Sequence, residues 1–197
     1  MRQAATQHVQ IIAFPELSIT AYTCLDLFQQ ETLLRQAEKA LTELVCKTAD
    51  LDLMAIVGCP LRSGSQLINA AVVFQRGEIL GVVPKSYLPS YKEFQEERWF
   101  TPAYQLQESV IQIGGRTVPM DSYLLFEYEQ VKVGVEICED LWVPIPPSSE
   151  LAMQGANLIF NLSASNELIG KHTYLRSLIA QQSARCIAGY IYASAGF

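Results

Sequence analysis

The sequence lacks several features that define whole classes of protein. No apolar run approaches the roughly 20 residues that span a bilayer, and the start, MRQAATQHVQIIAF, has no signal-peptide apolar region or cleavage site. The 14 Lys and Arg residues are scattered, so no basic stripe is offered to nucleic acid or to anionic lipid. We therefore expect neither a membrane nor a nucleic acid as a partner.

Cysteines are present, but their spacing does not pair them. Cys24, Cys46, Cys59, Cys138 and Cys186 are odd in number and widely separated, with no C-x-x-C pair among them. This spacing argues against a disulfide framework and against a zinc site. It favours a reducing, cytoplasmic setting, and we expect no bound metal.

The composition is that of a globular protein. Half of the 197 residues are hydrophobic, 17% are charged, and the formal net charge is -6. A chain of this length can bury a sizeable core, and we see no repeat or linker. We predict one domain over residues 1–197.

Strand-like and helix-like segments alternate along the chain, which predicts an α/β fold. The predicted strands cover residues 10–14, 54–60, 67–75, 78–85, 122–128, 131–138, 157–165 and 189–194. The predicted helices cover residues 27–50, 148–156 and 174–187. Arg76-Gly77 is a hairpin signal between two strands, and residues 86–101 are predicted to form a long surface loop.

A lone cysteine ends the strand pattern in VKVGVEICEDLWVP, residues 131–144. The apolar run reaches Ile137 and stops at Cys138. Two acids and a leucine follow the cysteine, and a tryptophan comes next. In open α/β sheets the chemistry lies at the carboxyl ends of strands, so Cys138 is a candidate nucleophile. The alternative is a small hydrophobic residue that closes the strand.

Two other apolar runs end on a proline and an ionisable residue. In IIAFPELS, Pro15 cannot extend the strand ladder, so Glu16 lies beyond its end. In LGVVPKSYLP, Lys85 follows the strand in the same way. Each residue alone is also compatible with a solvated surface group. The two histidines, His8 and His172, lie in polar surroundings, so a Cys–His dyad is the less favoured arrangement.

An acid, an amine and a thiol at three strand ends make a coherent set for acyl transfer. Glu16 can accept the thiol proton of Cys138 when desolvation brings their pKa values closer. Lys85 can stabilise an oxyanion and keep its own proton. The backbone N–H of Glu139, directly after the cysteine, is a candidate for the second donor to that oxyanion.

Four segments carry a resemblance to a known family. They are FPELSITAYTC, GVVPKSYLPSYKEFQEERWF, VEICEDLWVPIPPSSELAMQGANLIFNLSASNELIGK and SARCIAGYIYASAGF. Together they resemble the carbon–nitrogen hydrolase (nitrilase) superfamily. More narrowly, the PIPPSSELA and NLSASNELIGK blocks resemble the N-terminal glutaminase domains of glutamine-dependent NAD synthetases. The resemblance implies an α-β-β-α sandwich with its catalytic groups at the sheet ends.

The resemblance also implies a role for each matching residue. Glu16 matches the general base, Lys85 the oxyanion-stabilising lysine and Cys138 the nucleophile. Glu96, within FQEERWF, matches a second glutamate that orients the lysine and the base. The residues that match contacts of glutamine or a wall of its pocket are Tyr91, Ser165, Lys171 and Trp142. For all of these, packing or solvation is the alternative, most of all for the last two.

The implied reaction is hydrolysis of the side-chain amide of L-glutamine in two halves, through a thioester on the cysteine. In the full-length relatives the ammonia is used to make NAD from deamido-NAD. The glutaminase half is expected to need no cofactor, because ATP and magnesium belong to the synthetase domain that accepts the ammonia. The resemblance also implies a homo-oligomer.

The sequence departs from the family pattern at both ends and in one motif. No Ser-Gly-Gly-x-Asp-Ser loop for ATP occurs, since Gly114-Gly115 is followed by Arg116 in a predicted turn. The family has a further strand and helix before FPELS and more sheet after SAGF. We therefore expect a glutaminase domain that is incomplete at both ends, with strands 10–14 and 189–194 lacking a neighbour. Such a chain is expected to be poorly soluble or self-associated and weakly active.

Two other functions stay open. One is a stand-alone amidase or nitrilase of the same superfamily that acts on another small amide or nitrile. The other is an inactive fragment that serves only in assembly. A thiol protease of the Cys–His kind is a more distant third alternative.

Overall fold

Ten strands and four α-helices lie within residues 1–195, which the structure, a computed structural model, describes. The strands are β1 (Ile11–Ala13), β2 (Met54–Ser63), β3 (Gln66–Gln75), β4 (Glu78–Pro84), β5 (Val110–Ile113), β6 (Arg116–Pro119), β7 (Phe126–Tyr128), β8 (Val131–Ile137), β9 (Leu158–Ser163) and β10 (Gly189–Ser194). The helices are α1 (Arg2–Ala5), α2 (Glu31–Lys47), α3 (Pro147–Met153) and α4 (Lys171–Cys186). Residues 196–197 of the predicted domain lie outside the described range.

The strands form two four-stranded sheets and one small hairpin. The first sheet has the order β1-β2-β3-β4, with β1 parallel to β2 and the other pairs antiparallel. The second has the order β10-β9-β8-β7, with β8, β9 and β10 parallel and β7 antiparallel. Strands β5 and β6 pair only with each other.

The first sheet packs on both of its faces, and the sequence of β2 shows why. Ala55 and Val57 belong to the core beneath α2, whereas Met54 and Ile56 belong to the core between the two sheets. Because side chains alternate along a strand, burial on both sides demands a nearly continuous apolar run. Helix α2 turns its buried side chains toward this sheet at helical spacing; they are Leu34, Ala37, Leu41 and Val45.

The second sheet is covered on its outer face by α3 and α4. Val133, Val135 and Ile137 of β8 point into the core between the sheets. On the opposite face of β8, a Cβ at Gly134 would lie 3.0 Å from the Leu151 side chain of α3. The layers therefore run helix, sheet, sheet, helix, and the predicted α-β-β-α sandwich is confirmed.

The predicted hairpin turn at Arg76-Gly77 agrees with the backbone, whereas the predicted surface loop 86–101 is wrong in part. Arg76 and Gly77 both have positive φ, 49° and 81°, as a two-residue hairpin between β3 and β4 requires. Residues 86–101 do not lie wholly on the surface. Ser86, Glu96 and Phe100 are buried, since this segment returns twice into the molecule.

Strands β1 and β10 are the edge strands of their sheets within residues 1–195, as the sequence predicted. The four-residue helix α1 and the strands β5 and β6 were not predicted from the sequence, although the turn at Gly114 and Gly115 that joins the two strands was. A search of the described residues finds no helix with the length and apolar character that crossing a membrane demands.

Candidate active site

Four strands of the two sheets end at one place. Glu16 follows β1, Lys85 follows β4, Cys138 follows β8, and Ser163 is the last residue of β9. A short 3-10 turn, Glu96–Arg98, adds Glu96 from the segment after β4. All five side chains are buried, so they form one internal polar cluster.

The centre of the cluster is an ammonium between two carboxylates. Lys85 Nζ lies 2.6 Å from Glu16 Oε1 and 2.7 Å from Glu96 Oε1, and the three residues are at most 2% exposed. Burial alone lowers the pKa of Lys85, but the two carboxylates outweigh it and hold that pKa well above its ordinary value. Lys85 is therefore a permanent cation at neutral pH.

Asn69 of β3 and Tyr22 complete the surroundings of the two carboxylates. Asn69 Nδ2 donates to Glu16 Oε1 at 2.7 Å and to Glu96 Oε2 at 3.2 Å. The Tyr22 hydroxyl donates to Glu96 Oε1 at 2.8 Å. Burial raises the pKa of Glu96 above its usual range, against the opposing effect of Lys85. Two buried acids thus share one cation and two neutral donors.

Glycine at position 58 of β2 is what allows Glu16 to occupy this place. A Cβ at Gly58 would lie 2.2 Å from the backbone nitrogen of Leu17 and 2.8 Å from the carbonyl carbon of Glu16. Leu17 itself has a positive φ of 50°. The backbone therefore bends sharply after Pro15 and rests directly against β2, with no room for a side chain between.

Cys138 stands at a sharp turn between β8 and a 3-10 turn, Cys138–Trp142. Its φ is 45°, a left-handed conformation that is costly for a residue with a Cβ. Burial, followed by the nearby Glu16 charge, raises the pKa of the Cys138 thiol to about 12, although Lys85 acts in the opposite sense. The resting side chain is therefore a protonated thiol at neutral pH.

Asp140 ties the nucleophile turn to the strand end that bears Lys85. Its Oδ1 accepts the N–H groups of Ser86 at 3.1 Å and Tyr87 at 2.9 Å. Its Oδ2 accepts the N–H of Ile137 at 2.9 Å. The carboxylate is buried and bridges the two sheets through backbone donors, which fixes the distance between β4 and β8 at their ends.

Strand β9 supplies contacts to both the thiol and the carboxylate. The N–H of Cys138 donates to Asn161 Oδ1 at 3.1 Å, and the Ser163 hydroxyl donates to Cys138 Sγ at 3.2 Å. The next residue, Ala164, donates its N–H to Glu16 Oε2 at 3.0 Å. One short segment thus holds the nucleophile and the carboxylate in a fixed relation.

A cavity of about 360 Å³ opens beside the thiol and reaches the surface. Its lining includes Cys138, Glu139 and all four residues that the sequence analysis associated with glutamine: Tyr91, Trp142, Ser165 and Lys171. The structure therefore brings these predicted residues together around one opening. Glu16, Lys85 and Glu96 lie behind the thiol, in the buried cluster.

The rim of this cavity carries one acid and one base. Tyr91 donates its hydroxyl to Glu139 Oε2 at 2.9 Å, and burial raises the pKa of Glu139 while this hydrogen bond opposes the shift. Across the opening, Lys171 Nζ donates to Ser165 Oγ at 2.6 Å. The same ammonium lies 5.5 Å from the ring centroid of Trp142, within cation–π range.

Several residues of the cluster were not found by sequence reasoning. Asn69, Asn161 and Ser163 did leave a signal, because each is a polar residue inside an apolar strand. Tyr22 left none, since it lies in an irregular segment without a periodic pattern. The two histidines that a Cys–His dyad would need, His8 and His172, are both exposed.

The arrangement is suited to nucleophilic attack on a small carbonyl compound. A thiol at the cavity wall faces a buried carboxylate that can take its proton and a fixed ammonium that can stabilise negative charge on oxygen. Among residues 1–195, no group of three or more His, Cys, Asp or Glu side chains is placed to hold a metal ion.

Comparison with known proteins finds one family over almost the whole chain. Residues 1–195 match the model of the carbon–nitrogen hydrolase family. The glutamine-dependent NAD(+) synthetase of Mycobacterium tuberculosis (strain ATCC 25618 / H37Rv) is 45% identical over 189 residues, which are 94% of this chain and 28% of that protein. The synthetase of Thermotoga maritima is 34% identical over 184 residues, or 93% of this chain and 29% of that protein.

Solved structures show the same sandwich. The glutamine-dependent NAD(+) synthetase of Cytophaga hutchinsonii superimposes with a TM-score of 0.87 at 27% identity, over 98% of this chain and 31% of that chain. An amidase from Nesterenkonia sp. AN1 superimposes with a TM-score of 0.75 at 16% identity, over 98% of this chain and 67% of that one. The chain spans less than a third of the synthetases that it matches.

Proposed function

The chain belongs to the carbon–nitrogen hydrolase family, and we propose that it hydrolyses the side-chain amide of glutamine through a thioester on Cys138. The observation that carries the proposal is the buried ion pair behind the thiol. Lys85 and Glu16, 2.6 Å apart, are withdrawn from water, and the charges of both act on the Cys138 thiol. A buried, charged pair is costly unless it is used, and it stands where an acyl-transfer site needs a base and an oxyanion stabiliser.

The first half-reaction forms the thioester and releases ammonia. Glu16 takes the thiol proton as Cys138 Sγ attacks the amide carbon, and the carbonyl oxygen becomes an oxyanion. Lys85 and the N–H of Glu139 stabilise this oxyanion, and Lys85 keeps its proton because its pKa is raised. Glu16 then passes its proton to the amide nitrogen, the C–N bond breaks, and ammonia leaves.

The second half-reaction releases glutamate with the same groups. Glu16 takes a proton from water as the water oxygen attacks the thioester carbon. The C–S bond breaks, and the proton returns to Sγ as the thiol re-forms. Glu96 does not exchange a proton in this scheme, since it holds Lys85 Nζ at 2.7 Å and keeps the ammonium in place.

Glutamine is the proposed substrate because the cavity rim matches both charges of its amino-acid end. Lys171, supported by Ser165, is suited to the α-carboxylate, and Glu139, supported by Tyr91, is suited to the α-ammonium. Trp142 stacks on Tyr174 at a centroid distance of 5.7 Å and forms an apolar wall for the aliphatic part. The names of the 45% and 34% identical relatives support the same substrate.

The wider role that we propose is the supply of ammonia for NAD synthesis from deamido-NAD. Both similar proteins are named glutamine-dependent NAD(+) synthetases, and this chain corresponds to 28% and 29% of their lengths. A synthetase domain would be the ammonia acceptor, and ATP with magnesium would be its cofactors. The glutaminase half uses only its own side chains, and we propose that it acts as a homo-oligomer.

A glutamine-mimicking diazo-ketone tests the proposal against the other thiols. We expect it to label Cys138 far faster than the exposed Cys46, because the cavity recognises the amino-acid end of the probe. Iodoacetamide, which lacks that end, is expected to show the reverse preference, since Cys138 is buried and protonated. Glutamine should protect Cys138 from the diazo-ketone.

Equal labelling of the two cysteines by the diazo-ketone would remove Cys138 from its proposed role. A panel of small amides and nitriles completes the test. Faster turnover of another amide than of glutamine would replace the glutaminase with an amidase of broader or different specificity.

A further inference from the structure

Two hydroxyl groups of the second sheet form a chain that ends on the nucleophile. The Ser163 hydroxyl donates to Cys138 Sγ at 3.2 Å, and the Tyr192 hydroxyl lies 2.5 Å from Ser163 Oγ. Ser163 is fully buried, and Tyr192 projects from the edge strand β10. The proposed mechanism gives neither group a task.

The direction of the chain follows from counting hydrogens. A serine hydroxyl has one hydrogen, and Ser163 uses it on the sulfur. With that hydrogen on the sulfur, we assign Tyr192 as the donor in the short contact to Ser163 Oγ. Burial, followed by the charge on a Cys138 thiolate, raises the pKa of Tyr192 above its ordinary range, so it keeps the hydrogen that it must donate.

This direction has a consequence for the thiol proton. Because Cys138 Sγ accepts the Ser163 hydrogen on one side, its own S–H points elsewhere, and Glu16 is near enough for its charge to act on the thiol. Ala164, the residue after Ser163, donates its N–H to Glu16 Oε2 at 3.0 Å. The end of β9 thus sets the sulfur and its proposed base in position with two consecutive residues.

We infer that Ser163 orients the Cys138 thiol toward Glu16 and stabilises its thiolate, and that Tyr192 is a positioning residue that acts through Ser163. The inference rests on the proposed cysteine chemistry. Ser163 keeps its own proton throughout, and its hydrogen bond strengthens as negative charge develops on sulfur. The same contact then assists the departure of the thiolate when the thioester is hydrolysed.

The electrostatic surroundings of Cys138 make such a donor necessary. Glu16, which follows β1, and Glu96, from the 3-10 turn, both raise the pKa of the thiol, and burial raises it most. Lys85 and the Ser163 hydroxyl lower it. Ser163, at the end of β9, is therefore the neutral donor that favours the thiolate.

The decisive variants remove one oxygen atom each: Ser163→Ala, Tyr192→Phe and the two together. Iodoacetamide labelling resolved by mass spectrometry follows all five cysteines in the same sample, without requiring glutaminase activity. Labelling of the exposed Cys46 measures the activity of the reagent in each sample. The fully buried Cys59 becomes labelled only if the fold opens. Tyr128→Phe is the matched control, since this buried tyrosine lies on β7, the opposite edge of the same sheet.

Ser163→Ala is expected to raise the pKa of Cys138 by about one unit, the effect of one hydrogen bond to an ionised group. The thiolate fraction then falls about tenfold, but a more basic thiolate is also more nucleophilic, so alkylation slows about threefold. Tyr192→Phe should slow it about twofold. The double variant should equal Ser163→Ala, because the tyrosine acts through the serine.

In glutamine turnover we expect kcat of Ser163→Ala to fall about tenfold with KM nearly unchanged. Unchanged Cys138 labelling in Ser163→Ala would overturn the inference, as would a further loss when Tyr192→Phe is added to it. If Ser163→Ala leads to labelling of Cys59, the rate of Cys138 labelling in Tyr192→Phe becomes the test of the inference. Absence of glutamine turnover in the parent chain would count against the proposed function and leave the labelling result intact.

Discussion

The two sheets bring different chemistry to the same site. The first sheet contributes the charged pair Glu16 and Lys85 beyond its strand ends, and Asn69 donates a hydrogen bond to Glu16. The second sheet contributes the thiol, which is held by the neutral groups of Asn161 and Ser163. The charges thus lie on one side of the interface between the sheets, and the nucleophile lies on the other.

The resting cysteine is a thiol chiefly because it is buried, and the Glu16 charge of the first sheet adds to that effect. Cysteines that are paired with a cationic partner at close range have a low pKa, whereas the pKa of Cys138 is raised to about 12. The nearest charged groups offset this burial little, because Lys85 is already engaged by two carboxylates, Glu16 and Glu96. In the proposed mechanism the proton therefore crosses from the second sheet to the first during the attack.

Glu16→Gln should have the largest effect on this comparison. Loss of the proposed base is expected to lower kcat for glutamine on the order of 10³-fold, with KM little changed. Alkylation of Cys138 by iodoacetamide should become faster at the same time. The sign follows from the Glu16 charge, which raises the pKa of the thiol, so its removal lowers that pKa and increases the thiolate fraction.

The matched control is Glu127→Gln, an exposed glutamate of β7 that should leave both rates unchanged. Near-normal turnover of Glu16→Gln would move the base elsewhere, with Glu96 as the next candidate.

Lys85→Met should act on the thiol in the opposite direction. Loss of oxyanion stabilisation is expected to lower kcat roughly 10²-fold, about 3 kcal/mol. Because the Lys85 charge lowers the pKa of Cys138, the variant should alkylate more slowly than the parent. Two buried carboxylates also lose their cation, which should cost about 3–5 kcal/mol of unfolding free energy in a chemical melt.

If Lys85→Met and Glu16→Gln changed the alkylation rate in the same direction, the charges of the first sheet would not control the thiol. The comparison between the sheets would then be wrong.

Much of the fold could be predicted from the sequence because burial leaves a local pattern. The run in β2 is apolar on both faces, and α2 repeats its apolar residues at helical spacing, so both were found within a few residues of their bounds. The short helix α1 and the strands β5 and β6 were missed. They bury few side chains each, so the apolar pattern that reveals β2 and α2 is weak in them.

The site residues that follow the end of a strand could be predicted from the sequence. The residues that only hold other side chains in place could not. Glu16, Lys85 and Cys138 each follow an apolar run, and the structure places them at one edge. The contact of Tyr22 with Glu96 joins two residues 74 positions apart, and neither segment has a regular period. The role of Asp140, which accepts backbone N–H groups from both sheets, could not be predicted either. In the sequence, an acid that binds backbone groups cannot be distinguished from an acid that faces water.

Gly58→Ala tests the contribution of the first sheet in another way, because it should move Glu16 without changing its chemistry. The new Cβ would meet the backbone nitrogen of Leu17 at 2.2 Å, and backbone has little freedom to retreat. We expect kcat to fall about tenfold and the free energy of unfolding to fall by about 1–3 kcal/mol. Steady-state kinetics and a chemical melt measure the two effects.

The matched variant in the second sheet is Gly134→Ala, four residues before the cysteine. Its Cβ would meet the Leu151 side chain at 3.0 Å on the outer face of the sheet, away from the thiol, so activity should be largely retained. Equal loss of kcat in both variants would show that the fit of Glu16 against β2 is not special.

Lys171→Ala should have the smallest effect, because we propose that Lys171 binds the end of the substrate that does not react. We expect KM for glutamine to rise roughly tenfold with kcat within a few-fold of the parent, since only uniform binding is lost. Lys39→Ala, on the exposed face of α2, is the control for a change of net charge. A fall in kcat with unchanged KM would place Lys171 in the chemistry and not at the rim.

The most direct test of the account is the mass of the chain during turnover. If Cys138 attacks glutamine, acid-quenched samples taken during the reaction should carry one γ-glutamyl group on the peptide that contains Cys138, and the adduct should disappear when glutamine is exhausted. Cys138→Ala should form no adduct and release no ammonia. Glutamate production by the parent chain without any adduct on Cys138, or at an equal rate by Cys138→Ala, would contradict the central claim.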